Sequence, residues 1–73
     1  MAGIPMEQAV AIKGRFESEV IRKPGVNGVD LGAGADGGPV IRVYVRSRAT
    51  APSLPSMVDG VPVQIIERTF DAQ

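Results

Sequence analysis

The first third of the chain carries apolar residues at the spacing of a helix. They recur every three or four positions, which places them on one face. The residues of this apolar stripe are Ala9, Ile12, Phe16 and Val20. We predict a helix over Pro5–Lys23, because proline suits a first turn, where its missing N–H removes no hydrogen bond. Pro24-Gly25 then ends the helix.

Three later segments show the two-residue period of β-strands. Val40–Arg46 has the clearest alternation of apolar and polar residues, which is typical of a sheet with one buried face. We predict two further strands over Val26–Leu31 and Val61–Phe70. Pro62 has no N–H to donate, so it is expected at the start of the last strand or on an edge.

Glycine and proline mark the connections between these elements. The glycine-rich stretch Gly32–Pro39 is predicted to form a hairpin loop. Ser47–Met57 contains two prolines and is predicted to be a loop, with one helical turn considered near Leu54–Val58. Asp59-Gly60 is a turn signal before the last strand.

The order of the segments predicts an α+β fold. One N-terminal amphipathic helix packs on one face of a three-stranded β-sheet (α-β-β-β), the smallest two-layer arrangement. Residues 1–73 are too few for two hydrophobic cores, so we expect a single domain. The direction of the last strand stays open, because the connection Ser47–Gly60 is long enough for a parallel crossover. The predicted core residues are Ile12, Phe16, Val20, Val29, Leu31, Ile41, Val43, Val45, Val63 and Ile65.

Composition limits how so small a domain can be stabilised. A chain of 73 residues buries only roughly 60% of its unfolded surface. It contains no cysteine and no histidine, so disulfides are impossible and structural zinc would lack its usual ligands. Of the usual supports for small domains, a partner subunit is left. We therefore expect a homo-oligomer, with a homodimer favoured.

The charge balance and the hydropathy argue against several classes of protein. Eight basic and eight acidic residues cancel, so no overall field attracts nucleic acid or anionic lipid. No apolar run approaches the ~18–20 residues that span a bilayer. Met1–Gln8 lacks the basic and apolar stretches of a secretory signal. We expect a soluble, cytoplasmic protein without membrane contact.

The sequence carries little that predicts catalysis or a cofactor. Gly32–Gly37 matches the dinucleotide fingerprint G-x-G-x-x-G, but a strand follows where that motif needs a helix, so we expect no cofactor. Without histidine and cysteine, the commonest general base and the strongest nucleophile are absent. Asp30, Asp36 and Asp59 lie in or near predicted turns, where aspartate forms local hydrogen bonds. We expect no enzymatic activity; a carboxylate pair acting as acid and base is the open alternative.

The polar face of the predicted sheet carries the candidate interaction surface. If the last two strands are neighbours, their outward side chains share the face that does not contact the helix. This candidate surface consists of Arg42, Tyr44, Arg46, Gln64, Ile66 and Arg68. Tyrosine and arginine are enriched at protein interfaces. The favoured function is a non-enzymatic protein-interaction or self-associating module, acting through this face or through a free sheet edge.

A weak nucleic-acid binder is the alternative function. No acidic residue occurs between Gly37 and Val58. Arginines with an aromatic side chain on one sheet face can follow phosphates and stack a base. The simplest interpretation of the same residues is a solvated polar face on which arginine stems cover apolar surface.

Most of the chain resembles a known accessory region. The segments that carry the resemblance are Pro24–Gly32 (P-G-V-N-G-V-D-L-G), Pro39–Val45 (P-V-I-R-V-Y-V), Leu54-Pro55 and Gly60–Val63 (G-V-P-V). In this order they resemble the short region that precedes the catalytic domain in some bacterial trypsin-like proteins. The sequence departs from that pattern at Asn27 and Asp30. The resemblance implies a bacterial accessory or interaction module, and no residue of the protease triad carries over.

Overall fold

One helix and four strands form the protein in the computed structural model, which describes residues 4–49 and 52–68. The elements are α1 (Met6–Val20), β1 (Val26–Ala33), β2 (Pro39–Val45), β3 (Met57–Val58) and β4 (Val61–Glu67). The strands form one mixed sheet in the order β1-β2-β4-β3. The predicted α+β class is confirmed. The sheet has a fourth strand, because the segment before the last turn adds the two residues of β3.

Helix α1 is shorter at its C-terminal end than predicted. The Pro5 carbonyl accepts the N–H groups of Gln8 and Ala9 at 3.0 Å, which starts the helix where expected. The helix ends at Val20, and the N–H of Lys23 donates to the Val20 carbonyl at 2.9 Å to close a turn. Gly25, with a φ of 87°, then turns the chain into β1. The predicted last three helical residues therefore lie in this turn.

Strands β1 and β2 form an antiparallel hairpin. The strand β1 runs two residues beyond its predicted end, because Gly32 and Ala33 pair with Val40 and Pro39. The loop closes through the Gly34 N–H, which donates to the Gly38 carbonyl at 2.7 Å. The glycine-rich stretch therefore forms a strand end and a hairpin loop, and a strand follows it.

Strand β4 lies parallel to β2, which answers the open question of its direction. Ile41 pairs with Val63 and Val45 pairs with Glu67. Within the connection, Leu54 packs against the core on the helix-covered face of the sheet. Beyond Glu67 the strand prediction reaches residues 69–70, which lie outside the described residues.

The prediction of a helical turn near Leu54–Val58 is wrong. Met57 and Val58 instead pair antiparallel with Pro62 and Val61. Two consecutive residues with positive φ, Asp59 at 48° and Gly60 at 88°, close this two-residue hairpin loop. Pro62 pairs with the short β3 and precedes the pairing of β4 with β2, so its missing N–H interrupts no β2 bond.

The core lies between α1 and the face of the sheet that we call the inner face. Six predicted core residues are buried: Ile12, Phe16, Val20, Ile41, Val43 and Val45. The other four predicted core residues, Val29, Leu31, Val63 and Ile65, are half-buried and pack against this cluster. They lie on β1 and β4, which flank the central β2. Ala9, Val40 and Val61 are also buried but were not predicted.

Candidate interaction surface

The face of the sheet opposite α1, the outer face, brings the predicted surface residues together. Arg42 and Tyr44 on β2 are register partners of Gln64 and Ile66 on β4. Arg46 and Arg68 follow the ends of these two strands, and the Arg68 N–H donates to the Val45 carbonyl at 2.8 Å, which extends the pairing. The side chains of Arg42, Tyr44 and Ile66 are half-buried, whereas the others are exposed.

An acidic residue that was not among the predicted surface residues lies on the β1 side of this face. Asp30 on β1 is the register partner of Arg42. Its Oδ2 accepts from Nη2 of Arg42 at 3.0 Å and from the Tyr44 hydroxyl at 3.2 Å. Its Oδ1 accepts the N–H of Leu31 at 2.7 Å. The sequence predicts Asp30 within the strand Val26–Leu31 and near a turn, and only the hairpin register shows that it faces Arg42.

Two glycines on β1 make room for this network. A Cβ atom at Gly32 would lie 2.7 Å from Cζ of Arg42, and one at Gly28 would lie 3.9 Å from Cδ2 of Tyr44. Both side chains therefore extend across β1 toward Asp30. Nε of Arg42 is buried in this arrangement and has no hydrogen-bond partner among the described residues. The pattern Gly-x-Asp-x-Gly on one strand face is the sequence signal for this packing.

The hydrogen bonds to Asp30 favour its charged form. The N–H of Leu31 is the largest cause that lowers the pKa of the Asp30 carboxyl below its ordinary value of 3.8. The hydroxyl of Tyr44 and the charge of Arg42 lower the pKa further. Asp30 is therefore an anion near neutral pH, and it neutralises Arg42.

One face of the Tyr44 ring is already covered by the side chain of Arg68. The guanidinium of Arg68 lies 5.0 Å from the centroid of the Tyr44 ring, a cation–π arrangement. Nδ2 of Asn27 donates to the Arg68 carbonyl at 2.9 Å and holds this end of β4. A nucleic-acid base would have to displace Arg68 to stack on this face of the ring. The geometry therefore weakens the stacking part of the nucleic-acid alternative.

The two edges of the sheet differ in how well they are covered. One edge is β1, and the other is β4 beyond the two residues of β3. On β4, the Val63 N–H donates to the Ser56 carbonyl at 2.9 Å. Farther along, the Ile65 carbonyl accepts from Nη2 of Arg48 at 2.8 Å, and the Glu67 carboxylate accepts the Arg48 N–H at 3.3 Å. The chain that leaves β2 thus covers part of the β4 edge.

The edge of β1 has no neighbouring strand in the described part of the chain. Hydrogen-bonded pairs alternate along an antiparallel ladder. The Gly34 N–H donates to the Gly38 carbonyl, so every second pair counted from there is hydrogen-bonded, and Asp30–Arg42 is one of these pairs. Val29 and Leu31 therefore direct their backbone groups away from β2. The Leu31 N–H is taken by Asp30, which leaves the Val29 N–H and both carbonyls free for a partner.

An exposed apolar flank of α1 lies above this edge. Nη2 of Arg15 contacts Oδ2 of Asp59 at 3.3 Å, so that side of the helix faces β3. With about 100° per residue, Met6 lies about 180° and Val10 about 140° around the helix from Arg15. Both therefore face the β1 side, and they are 48% and 55% exposed.

Comparison of the chain with protein-family models, curated proteins and solved structures found no match. The resemblance to the accessory region of trypsin-like proteins therefore stays a prediction. Within residues 4–49 and 52–68, no helix has the length and apolar character needed to cross a membrane. The same residues contain no cluster of three acidic side chains suited to a metal ion.

Proposed function

We propose that the protein is a non-enzymatic interaction module that forms a homodimer through the free edge of β1. The observation that carries this proposal is the burial of β1: none of its eight residues is buried, although Val29 and Leu31 pack against the core. A long edge strand with half-covered apolar side chains is a template for pairing with another strand. A second copy would bury these side chains and use the free backbone groups.

The outer face supports the edge as the docking site because several of its polar groups already contact one another. Asp30 accepts hydrogen bonds from Arg42 and Tyr44, and Arg68 lies over the Tyr44 ring. A partner bound on that face would have to compete with these contacts. A partner that binds the β1 edge at Val29 would not have to compete with such contacts.

The residues of β1 favour one antiparallel register for the dimer, with the twofold axis at Val29. In this register Val29 of each copy exchanges its N–H and C=O with the other, and Asp30 lies opposite the partner's Gly28. An axis at Asp30 would place two carboxylates directly opposite each other, which is destabilising. An axis at Leu31 would need an N–H that Asp30 already accepts.

The flank of α1 completes the same interface. A twofold axis at the β1 edge places the two helices on the same face of the continued sheet, next to each other across the axis. Met6 and Val10 would then face the helix of the partner. Lys13 and Glu17, paired at 2.7 Å on the same flank, would provide a charged border.

The test is the solution mass of the full chain over a roughly hundredfold range of concentration, measured by size exclusion with light scattering. We expect about twice the 7.6 kDa of one chain at high concentration and dissociation on dilution. Val10→Glu should shift the protein to monomer, since it places a charge in the helix contact. Met57→Glu is the matched control, because Met57 is 57% exposed but lies on β3.

Amide hydrogen exchange then tests the register. The Val29 amide should exchange more slowly at high protein concentration, whereas the Ala33 amide, also on this edge, should not change. A monomer at every concentration would refute the homodimer. A dimer that Met57→Glu disrupts and Val10→Glu leaves intact would move the interface away from β1.

A further inference from the structure

Two arginines at the carboxyl ends of β2 and β4 form a separate feature of the outer face. Val45 pairs with Glu67 in the parallel register, and the Arg68 N–H donates to the Val45 carbonyl. Arg46 and Arg68 therefore follow adjacent strands, whose backbones lie about 4.8 Å apart. Both occupy outer-face positions, because they continue the alternation of Tyr44 and Ile66. Both are exposed.

In the described part of the chain these two cations have no acidic partner, as is also true of Arg22, Lys23 and Arg48, whereas three other basic side chains are paired. Arg15 pairs with Asp59, Lys13 with Glu17 and Arg42 with Asp30. No carboxylate of residues 4–49 and 52–68 lies within 4.0 Å of the guanidinium of Arg46 or Arg68. The carboxylate of Asp30, also on the outer face, is engaged by Arg42 and Tyr44.

We infer that Arg46 and Arg68 form a binding site for a phosphate group. Because the two residues follow adjacent paired strands, both guanidinium groups can reach one ligand, the Arg68 group by leaving its position over the Tyr44 ring. Together they would offer several N–H donors and two positive charges. A phosphate monoester, with nearly two negative charges and three acceptor oxygens at neutral pH, matches both groups at once. A carboxylate carries one charge and matches only one of them. The site is distinct from the β1 edge and does not depend on dimerisation.

The test is a titration of the ¹⁵N-labelled full chain with inorganic phosphate at constant ionic strength, observed at the arginine side-chain N–H signals by NMR. We expect saturable shifts at Arg46 and Arg68, and much smaller shifts with acetate. A nucleoside monophosphate should bind with similar affinity, because the phosphate is the recognised part.

Three single variants locate the site. Arg46→Gln and Arg68→Gln should each weaken phosphate binding about tenfold, as expected for the loss of one charge-assisted contact. Arg22→Gln, an equal change of charge in the turn after α1, should leave the affinity unchanged. Thermal unfolding checks that each variant is folded.

Several outcomes would overturn the proposal. They are equal shifts with phosphate and acetate, an equal loss of affinity in Arg22→Gln, and the absence of any saturable shift. Binding of a single-stranded oligonucleotide without binding of phosphate would also overturn the single-group site. That result would favour a nucleic acid that spans several positions along β2.

Discussion

Substitution of Gly32 by alanine tests the packing of Arg42 across β1. A Cβ atom at this position would lie 2.7 Å from Cζ and Nη2 of Arg42 and 3.0 Å from its Nε, closer than these atoms can approach. The guanidinium must therefore move away from Asp30. Gly28→Ala is the matched control on the same strand and face, because its Cβ would lie at an ordinary contact distance of 3.9 Å from Tyr44.

The expected difference between the two variants is about 1 kcal/mol of unfolding free energy. Neither glycine has a positive φ, so alanine fits both backbones. Alanine then stabilises by about 0.4–1 kcal/mol, because it restricts the unfolded chain. We expect this gain in Gly28→Ala. In Gly32→Ala it is offset by about 0.5–1.5 kcal/mol, the cost of forcing a side chain from its preferred rotamer. The net change for Gly32→Ala is near zero.

Urea unfolding followed by far-ultraviolet circular dichroism, at one fixed protein concentration, measures both changes. A double-mutant cycle with Arg42→Ala isolates the contact: without the guanidinium, Gly32→Ala should stabilise as much as Gly28→Ala does. The coupling energy should be about 1 kcal/mol, within the range for residues in contact. Equal effects of Gly32→Ala with and without Arg42 would refute this account of the outer face.

Two further predictions concern acid stability and the β3–β4 turn. The lowered pKa of Asp30 contributes stability that is present above the ordinary value of 3.8 and is lost as the pH falls through the folded-state pKa. We therefore expect the difference in unfolding free energy between the wild type and Asp30→Asn to shrink as the pH falls below 3.8. A difference that stays constant across this pH range would contradict the prediction. Gly37→Ala and Gly60→Ala should both destabilise, by about 1–2 kcal/mol for the left-handed backbone alone. Urea unfolding should show a larger loss of unfolding free energy for Gly60→Ala than for Gly37→Ala. The added Cβ at position 60 would lie 3.2 Å from Cδ1 of Ile4, whereas Gly37 has no neighbour within 4 Å. Equal losses would show that Ile4 moves away without cost.

The candidate surface was predictable as a set of positions but not as a set of contacts. Alternation along β2 and β4 places Arg42, Tyr44 and Ile66 on one face whichever way β4 runs. The partner of Arg42 comes from β1, and its identification needs the register of a hairpin with a five-residue glycine-rich loop, 34–38. For this reason a surface interpreted as basic and open contains a neutralised arginine and an occupied tyrosine ring.

The sequence by itself determined the helix, its buried face and the alternation of the three main strands. These features depend on the local spacing of apolar residues, which each segment carries independently of the others. Only the tertiary structure decided that β4 runs parallel to β2, that Asp30 faces Arg42 and that the edge of β1 is unpaired. Each of these depends on which distant segments pair and in what register. That choice is made by packing of the whole core, and no local pattern encodes it.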